Sequence, residues 1–85
     1  EHVIQLFSSL NMEAIELVAE KDSKAARVPV SNLNLPHGSI IALVNHNGHI
    51  KIPSGDFQIS ENDTILIFCI NSKIREVRNI FHSEK

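Results

Sequence analysis

The sequence predicts an α+β domain: a small, mostly antiparallel sheet with short helical turns and one longer helix near the C-terminal end. Three observations carry that prediction. Asn47-Gly48 sits between two β-rich runs, and Asn-Gly in that setting is a strong hairpin signal, because a type I′ turn needs positive φ at both central residues. The run Thr64-Ile65-Leu66-Ile67-Phe68-Cys69-Ile70 is apolar at nearly every position, as a strand flanked on both faces must be. Ile74, Val77, Ile80 and Phe81 recur at helical spacing on one stripe.

Each element can be justified in chain order. Residues 3–7 are short and β-compatible, ending at Ser8-Ser9. Residues 13–18 alternate acidic and apolar side chains. A helix burying Ile15, Leu17 and Val18 is the alternative, but the shortness of the segment and the Lys21-Asp22-Ser23 punctuation favour a strand. Ser23 caps a turn through residues 24–27. Pro29 suits the first position of a short helix over residues 29–34, where its missing N–H would be unbonded anyway. Leu33 and Leu35 aim that segment at the core, and Leu35-Pro36-His37-Gly38 ends it, since the residue before proline is driven from the helical region.

The hairpin then pairs residues 39–46 with 49–53. A two-residue loop sets His46 opposite His49, Val44 opposite Lys51 and Leu43 opposite Ile52. In that register Ile41, Leu43, Ile50 and Ile52 share one face, and Ile40, Ala42 and Val44 share the other. Residues 53–56 and 61–63 are turn-rich and bracket a short edge segment around Phe57 and Ile59. After the apolar strand, Asn71 or Ser72 caps a helix over residues 72–81.

Composition excludes several functions. Eighty-five residues make one domain, residues 1–85, whose core is thin unless a second molecule extends it. The net charge of -2 leaves no basic footprint for nucleic acid. Trp and Tyr are absent, so stacking platforms for single strands are missing too. Cys69 is the only cysteine; it reads as a small core residue, and a disulfide within one chain is excluded. No apolar run approaches the roughly 20 residues of a membrane span. The chain opens on Glu1 without a Met, which predicts a fragment of a longer protein. Two strand regions are apolar on both faces, while one amphipathic helix covers a single face. The other face is expected to be covered by the remaining short segments or by a second copy, which predicts a homodimer.

The chemistry-bearing residues form no catalytic constellation. His46 and His49 oppose each other across a tight turn, and His37 lies shortly before. Two imidazoles with no Cys or carboxylate at matching spacing do not complete a tetrahedron. They read as exposed hairpin residues, with a weak metal site or a mild pH sensor as other uses. Ser54 in Pro53-Ser54-Gly55-Asp56 lacks the glycine two residues before it that a nucleophile elbow requires, so the segment reads as a turn. Glu13 and Glu16 read as solvated strand carboxylates. Three glycines spell neither G-x-G-x-x-G nor a Walker loop, so no cofactor is expected in this fragment and no enzyme is predicted.

The order of features resembles the TrkA C-terminal domain, the C-terminal RCK subdomain. The resemblance runs from Glu13-Ala14-Ile15-Glu16-Leu17 through Ser23-Lys24, Val28-Pro29-Val30 and Leu33-Asn34-Leu35-Pro36-His37-Gly38. It continues through residues 40–44, Asn47-Gly48 and Ile52-Pro53-Ser54-Gly55-Asp56. It closes with Glu61-Asn62-Asp63, Ile65-Leu66-Ile67-Phe68 and the 74–81 stripe. The Leu-Pro-x-Gly and Ile-Pro-Ser-Gly-Asp segments are the most telling.

The resemblance implies a cytoplasmic domain, peripheral to the membrane through other subunits, that dimerises and regulates potassium or other cation transport. Domains of this kind follow a nucleotide-binding domain whose glycine-rich loop is missing here. The closing helix looks most like the peripheral subunit of Trk-type uptake systems, and similar domains also sit on cation antiporters and channels. Some members bind cyclic di-AMP between two copies, near the segment matching residues 35–41 and the strand end at Pro53. That makes Pro36, Gly38, Ser39, Ile40 and Pro53 the candidate ligand residues. This sequence departs at two of them, with Pro36 where binders tend to carry arginine and Ser39 where they tend to carry asparagine. Losing a cation and an amide argues against cyclic di-AMP while leaving the cleft open to another small nucleotide or ligand. A homodimerisation module without a ligand is the competing reading.

Overall fold

The computed structural model describes residues 9–84, so the β-compatible stretch at residues 3–7 lies outside the described residues. Four strands, β1 (Met12–Val18), β2 (Ser39–His46), β3 (His49–Lys51) and β4 (Thr64–Ile70), form one sheet in the order β1-β4-β2-β3. Every pairing is antiparallel. Short 3₁₀ turns cover Lys24–Ala26, Val30–Asn32 and Asn71–Lys73, and the helix α1 spans Ile74–Phe81.

The apolar run is an interior strand, flanked by β1 and β2, and its period-2 geometry divides it cleanly. Ile65, Ile67 and Cys69 are fully buried. Their ladder neighbours Leu17, Ile15 and Glu13 on β1 and Val44, Ile41 and Ser39 on β2 share that inner face. Val77 and Phe81 of α1 cover it, together with Ala25, Leu33 and Ile59 from the loops. Fully burying one such large apolar side chain contributes about 1.5–3 kcal/mol. The short segments therefore join the helix on one side of the sheet. The outer face carries Leu66, Phe68 and Ile70, which are half-buried, and Ile40, which stays 60% exposed.

The hairpin forms as the Asn-Gly signal requires: Asn47 and Gly48 have φ of 51° and 88°, His46 opposes His49 and Val44 opposes Lys51. The expected division of faces is corrected. Ile41 pairs with Ile67 but Leu43 pairs with Leu66, so Ala42 is an extra residue, a β-bulge that reverses the alternation along β2. Ile41 and Val44 consequently face inward, while Ile40, Leu43 and, across from Asn45, Ile50 face outward. The hairpin ladder also ends earlier than expected. β3 stops at Lys51 rather than running to residue 53, and Ile52 is left 84% exposed. Pro53, with no N–H, has nothing to donate to a continued ladder.

Three smaller expectations are adjusted. The helix near residues 29–34 is a single 3₁₀ turn over Val30–Asn32 with Pro29 at its N-cap. The segment around Phe57 and Ile59 is no strand; Phe57 O instead accepts Val30 N–H at 3.0 Å, Gly55 O just before it accepts Ser31 N–H at 2.8 Å, and Ile59 plugs the core. The 72–81 helix begins as the 3₁₀ turn Asn71–Lys73 before α1, with no side-chain cap. Beyond α1, Ser83 bridges to Ser23, Glu84 N–H donates to Asp22 O at 3.3 Å and Glu20 N–H donates to Phe81 O at 2.9 Å. An Arg27–Glu84 ion pair closes the same strap.

Candidate functional site

The segment singled out by the sequence is a tight structural unit. Ser39 closes the Pro36–Ser39 turn twice, its N–H donating to Pro36 O at 3.2 Å and its hydroxyl to the same oxygen at 2.6 Å. Gly38 has φ +89°, and a Cβ there would stand 2.7 Å from Ile70 Cδ1 and 2.9 Å from Cγ1. Only glycine meets both the left-handed backbone and that close approach. Gly38 O accepts from Ile70 N–H at 2.9 Å, so the turn is stitched to the end of β4.

Ile70 also forms a wall of an open cleft of about 490 Å³, lined by Leu10, Asn11, Ile70, Asn71 and Ser72. Asn71 N–H donates to Asn11 O at 2.8 Å. The Asn71 side-chain amide, with its nitrogen turned toward them, donates to Asn11 O at 3.3 Å and to Glu13 Oε2 at 3.2 Å. The lining residues are uncharged, and the nearest charge tied to them through Asn71 is a carboxylate. Such a lining suits apolar and hydrogen-bonding groups better than an anion.

Of the candidate residues, Gly38 meets this cleft through its close approach to the lining residue Ile70, while Pro36, Ser39 and Ile40 are its neighbours in the chain and are not among the lining residues. Pro53 follows β3, separated from the Gly38–Ile70 contact by β2. Sequence reasoning reaches Asn71 and Ser72 only as helix caps and does not single out Leu10 or Asn11, because nothing local marks an open groove between the start of one strand and the end of another.

A second polar unit lies at the other end of the sheet. Asp63, only 3% exposed, accepts Ser60 N–H at 2.9 Å through Oδ2 and meets His46 Nδ1 at 2.5 Å through Oδ1. Its backbone O accepts Ala19 N–H at 2.9 Å. His46 is half exposed. Among the described residues no group of three or more His, Cys, Asp or Glu gathers as a metal centre.

Nucleophiles are equally unpromising. Cys69 is buried, and burial, with Glu13 and Glu76 adding to it, pushes its thiol above the ordinary range, away from the reactive thiolate. Ser54 Oγ donates to Asp56 Oδ1 at 2.5 Å, which lowers the Asp56 carboxyl and completes the turn predicted there. No described helix is long and apolar enough to cross a membrane.

Comparison with known proteins gives a consistent result. The family model of the TrkA-C domain matches residues 14–82. Trk system potassium uptake protein TrkA homolog 2 of Methanosarcina mazei is 38% identical over 69 residues, covering 81% of this chain and 15% of that protein. The TrkA homolog of Pyrococcus horikoshii is 39% identical over 74 residues, covering 86% of this chain and 32% of that protein. The chain therefore spans a third or less of the length of these two relatives. Among solved structures, the RCK_C domain dimer of S. agalactiae BusR in complex with c-di-AMP superposes with a TM-score of 0.67 at 20% identity, covering 80% of this chain and 93% of that one. An RCK domain solved with cda gives a TM-score of 0.70 at 16% identity, covering 81% and 97%. At these identities the structural likeness is one of fold.

Proposed function

Because this chain belongs to the TrkA-C domain family, we propose that it is a non-catalytic, cytoplasmic regulatory domain of a potassium-transport protein and works as a homodimer joined through the outer face of its sheet. The observation that carries the proposal is the distribution of apolar side chains. Among the described residues the helix and the loops pack on the inner face, while Ile40, Leu43, Leu66, Phe68 and Ile70 gather on the outer one. A second copy laid there would bury apolar surface that the described helix and loops leave uncovered. A solved structure of the same fold is itself an RCK_C domain dimer, which supports dimerisation here. The membrane-embedded transport subunit would be reached through the full-length protein.

The Gly38 segment and the cleft that meets it at Ile70 are the candidate ligand site, with Pro36, Gly38, Ser39 and Ile40 supplying the segment and Pro53 in reach only if a second copy brings it near. Its uncharged lining supports a neutral, hydrogen-bonding ligand over cyclic di-AMP. A dimerisation module without a ligand is the second reading, favoured by the way Ser39 spends its hydroxyl within its own turn.

Sedimentation equilibrium tests the assembly. The parent chain is expected to be dimeric at micromolar concentration, and Ile40→Asp, which places a charge on the outer face, is expected to weaken dimerisation at least tenfold while circular dichroism stays native. A monomeric parent chain at high micromolar concentration would overturn the proposal. Calorimetry with cyclic di-AMP on the same sample is expected to show no heat of binding, and micromolar binding would refute the ligand argument without touching the dimer.

A further inference from the structure

The Asp63–His46 contact changes what the hairpin histidines can do. Asp63 is nearly fully buried, and its carboxylate is fixed by Ser60 N–H on one oxygen. The other oxygen accepts from His46 Nδ1. A carboxylate accepting at Nδ1 places the imidazole proton there and leaves the Nε2 lone pair pointing away, which is the arrangement by which proteins prepare a histidine to bind a metal. The His46 side chain is half exposed, and an incoming ion would displace only a long contact at Nε2. Asn47 Nδ2 lies 3.5 Å from that nitrogen, and its amide can turn to offer oxygen instead.

The second imidazole is supplied by the turn. His49 is the direct cross-strand neighbour of His46, and such pairs share one face with Cβ atoms about 4.5–5.5 Å apart. Two imidazoles so placed can reach one ion with Zn–N or Ni–N distances of about 2.0–2.1 Å. Lys51, two residues beyond His49, would repel a cation, but its ammonium is drawn 5.8 Å over the Phe57 ring. The tightness of the Asn-Gly turn fixes the pair before any ion arrives.

We propose that His46 Nε2 and His49 form a two-imidazole site for a divalent transition-metal ion of the nickel, copper or zinc type, with Asp63 as the positioning residue behind His46. Water completes the coordination sphere. The site lies at the hairpin end of the sheet, remote from the Gly38 cleft. It is independent of the dimer proposal.

Calorimetric titration of the untagged chain with NiCl2 and with ZnCl2 tests this, alongside NMR of the histidine ring protons. One-to-one binding in the sub-millimolar range is expected at pH 7.5, with shifts confined to His46 and His49. His49→Ala, at an exposed position, is expected to weaken binding at least tenfold, whereas His37→Ala and His82→Ala leave it unchanged. Asp63→Asn is expected to cost about 10–100-fold in affinity. Should that variant fold poorly, His46→Ala gives the same reading. Metal binding unchanged in His49→Ala, or lost equally in His37→Ala, would overturn the proposal, as would no binding below millimolar metal.

Discussion

Replacing Gly38 with alanine separates two costs that the structure places at one residue. The backbone there has φ +89°, and an added methyl would stand 2.7 Å from Ile70 Cδ1, 2.9 Å from Cγ1 and 3.2 Å from Cγ2. Holding an L-residue in the left-handed region costs about 1–2 kcal/mol. Forcing a methyl into occupied space typically costs a further 1–3 kcal/mol, because Ile70 must move while its N–H still bonds Gly38 O. Gly38→Ala is therefore expected to lose about 2–5 kcal/mol in all. Gly48 provides the control: its φ is +88°, but nothing lies within 4 Å of the Cβ it would gain. Gly48→Ala should lose only the conformational part, about 1–2 kcal/mol. The assay is urea denaturation at one fixed protomer concentration, since association with a second copy would shift apparent stability. In thermal melts each kcal/mol lowers the midpoint by about 4–8 °C at this chain length. Adding Ile70→Ala removes all three obstructing atoms, so the double variant should lose less than the sum of the two singles. Equal losses for Gly38→Ala and Gly48→Ala, with strict additivity to Ile70→Ala, would refute the close-approach argument.

Phe81, fully buried at the end of α1, should cost about 3–5 kcal/mol when cut to alanine, measured as a lower urea midpoint with an unchanged slope. Cys69 should resist a thiol reagent in the native protein and react only as fast as the chain opens; prompt labelling in native buffer would contradict its burial. Its raised thiol ionisation also sets a sign. The folded state keeps the proton longer than the unfolded one, so stability should decline as pH rises past the ordinary thiol range near 8.5, and Cys69→Ala should remove that decline.

Much of this architecture could be read from residue patterns because the signals were local. Asn47-Gly48 dictates its own turn, and the 64–70 run has the length and composition of an interior strand. The 74–81 stripe admits one helix with Val77 and Phe81 inward. The bulge at Ala42 was illegible for a physical reason: Ile40-Ile41-Ala42-Leu43-Val44 is apolar throughout, so no polar residue marks where the alternation slips. The face of each isoleucine is decided only by pairing with β4. The Asp63–His46 contact was hidden in the same way, since it joins residues 17 apart in sequence through that long-range register. The Gly38 segment was found by resemblance, but its reason for being glycine depends on Ile70, thirty-two positions away.

The strap beyond α1 determines how the domain bears load. Tension applied beyond Glu84 meets the Glu84–Asp22 and Ser83–Ser23 contacts one after another, an unzipping geometry in which each bond fails alone. The Glu20–Phe81 bond comes next, and then the buried ring of Phe81 itself. Tension entering ahead of Met12 instead runs along β1, whose whole ladder to β4 must shear at once. The domain is thus mechanically polar, yielding first from the C-terminal side. A pull transmitted through that side would peel α1 from the sheet before disturbing the strands or the outer face.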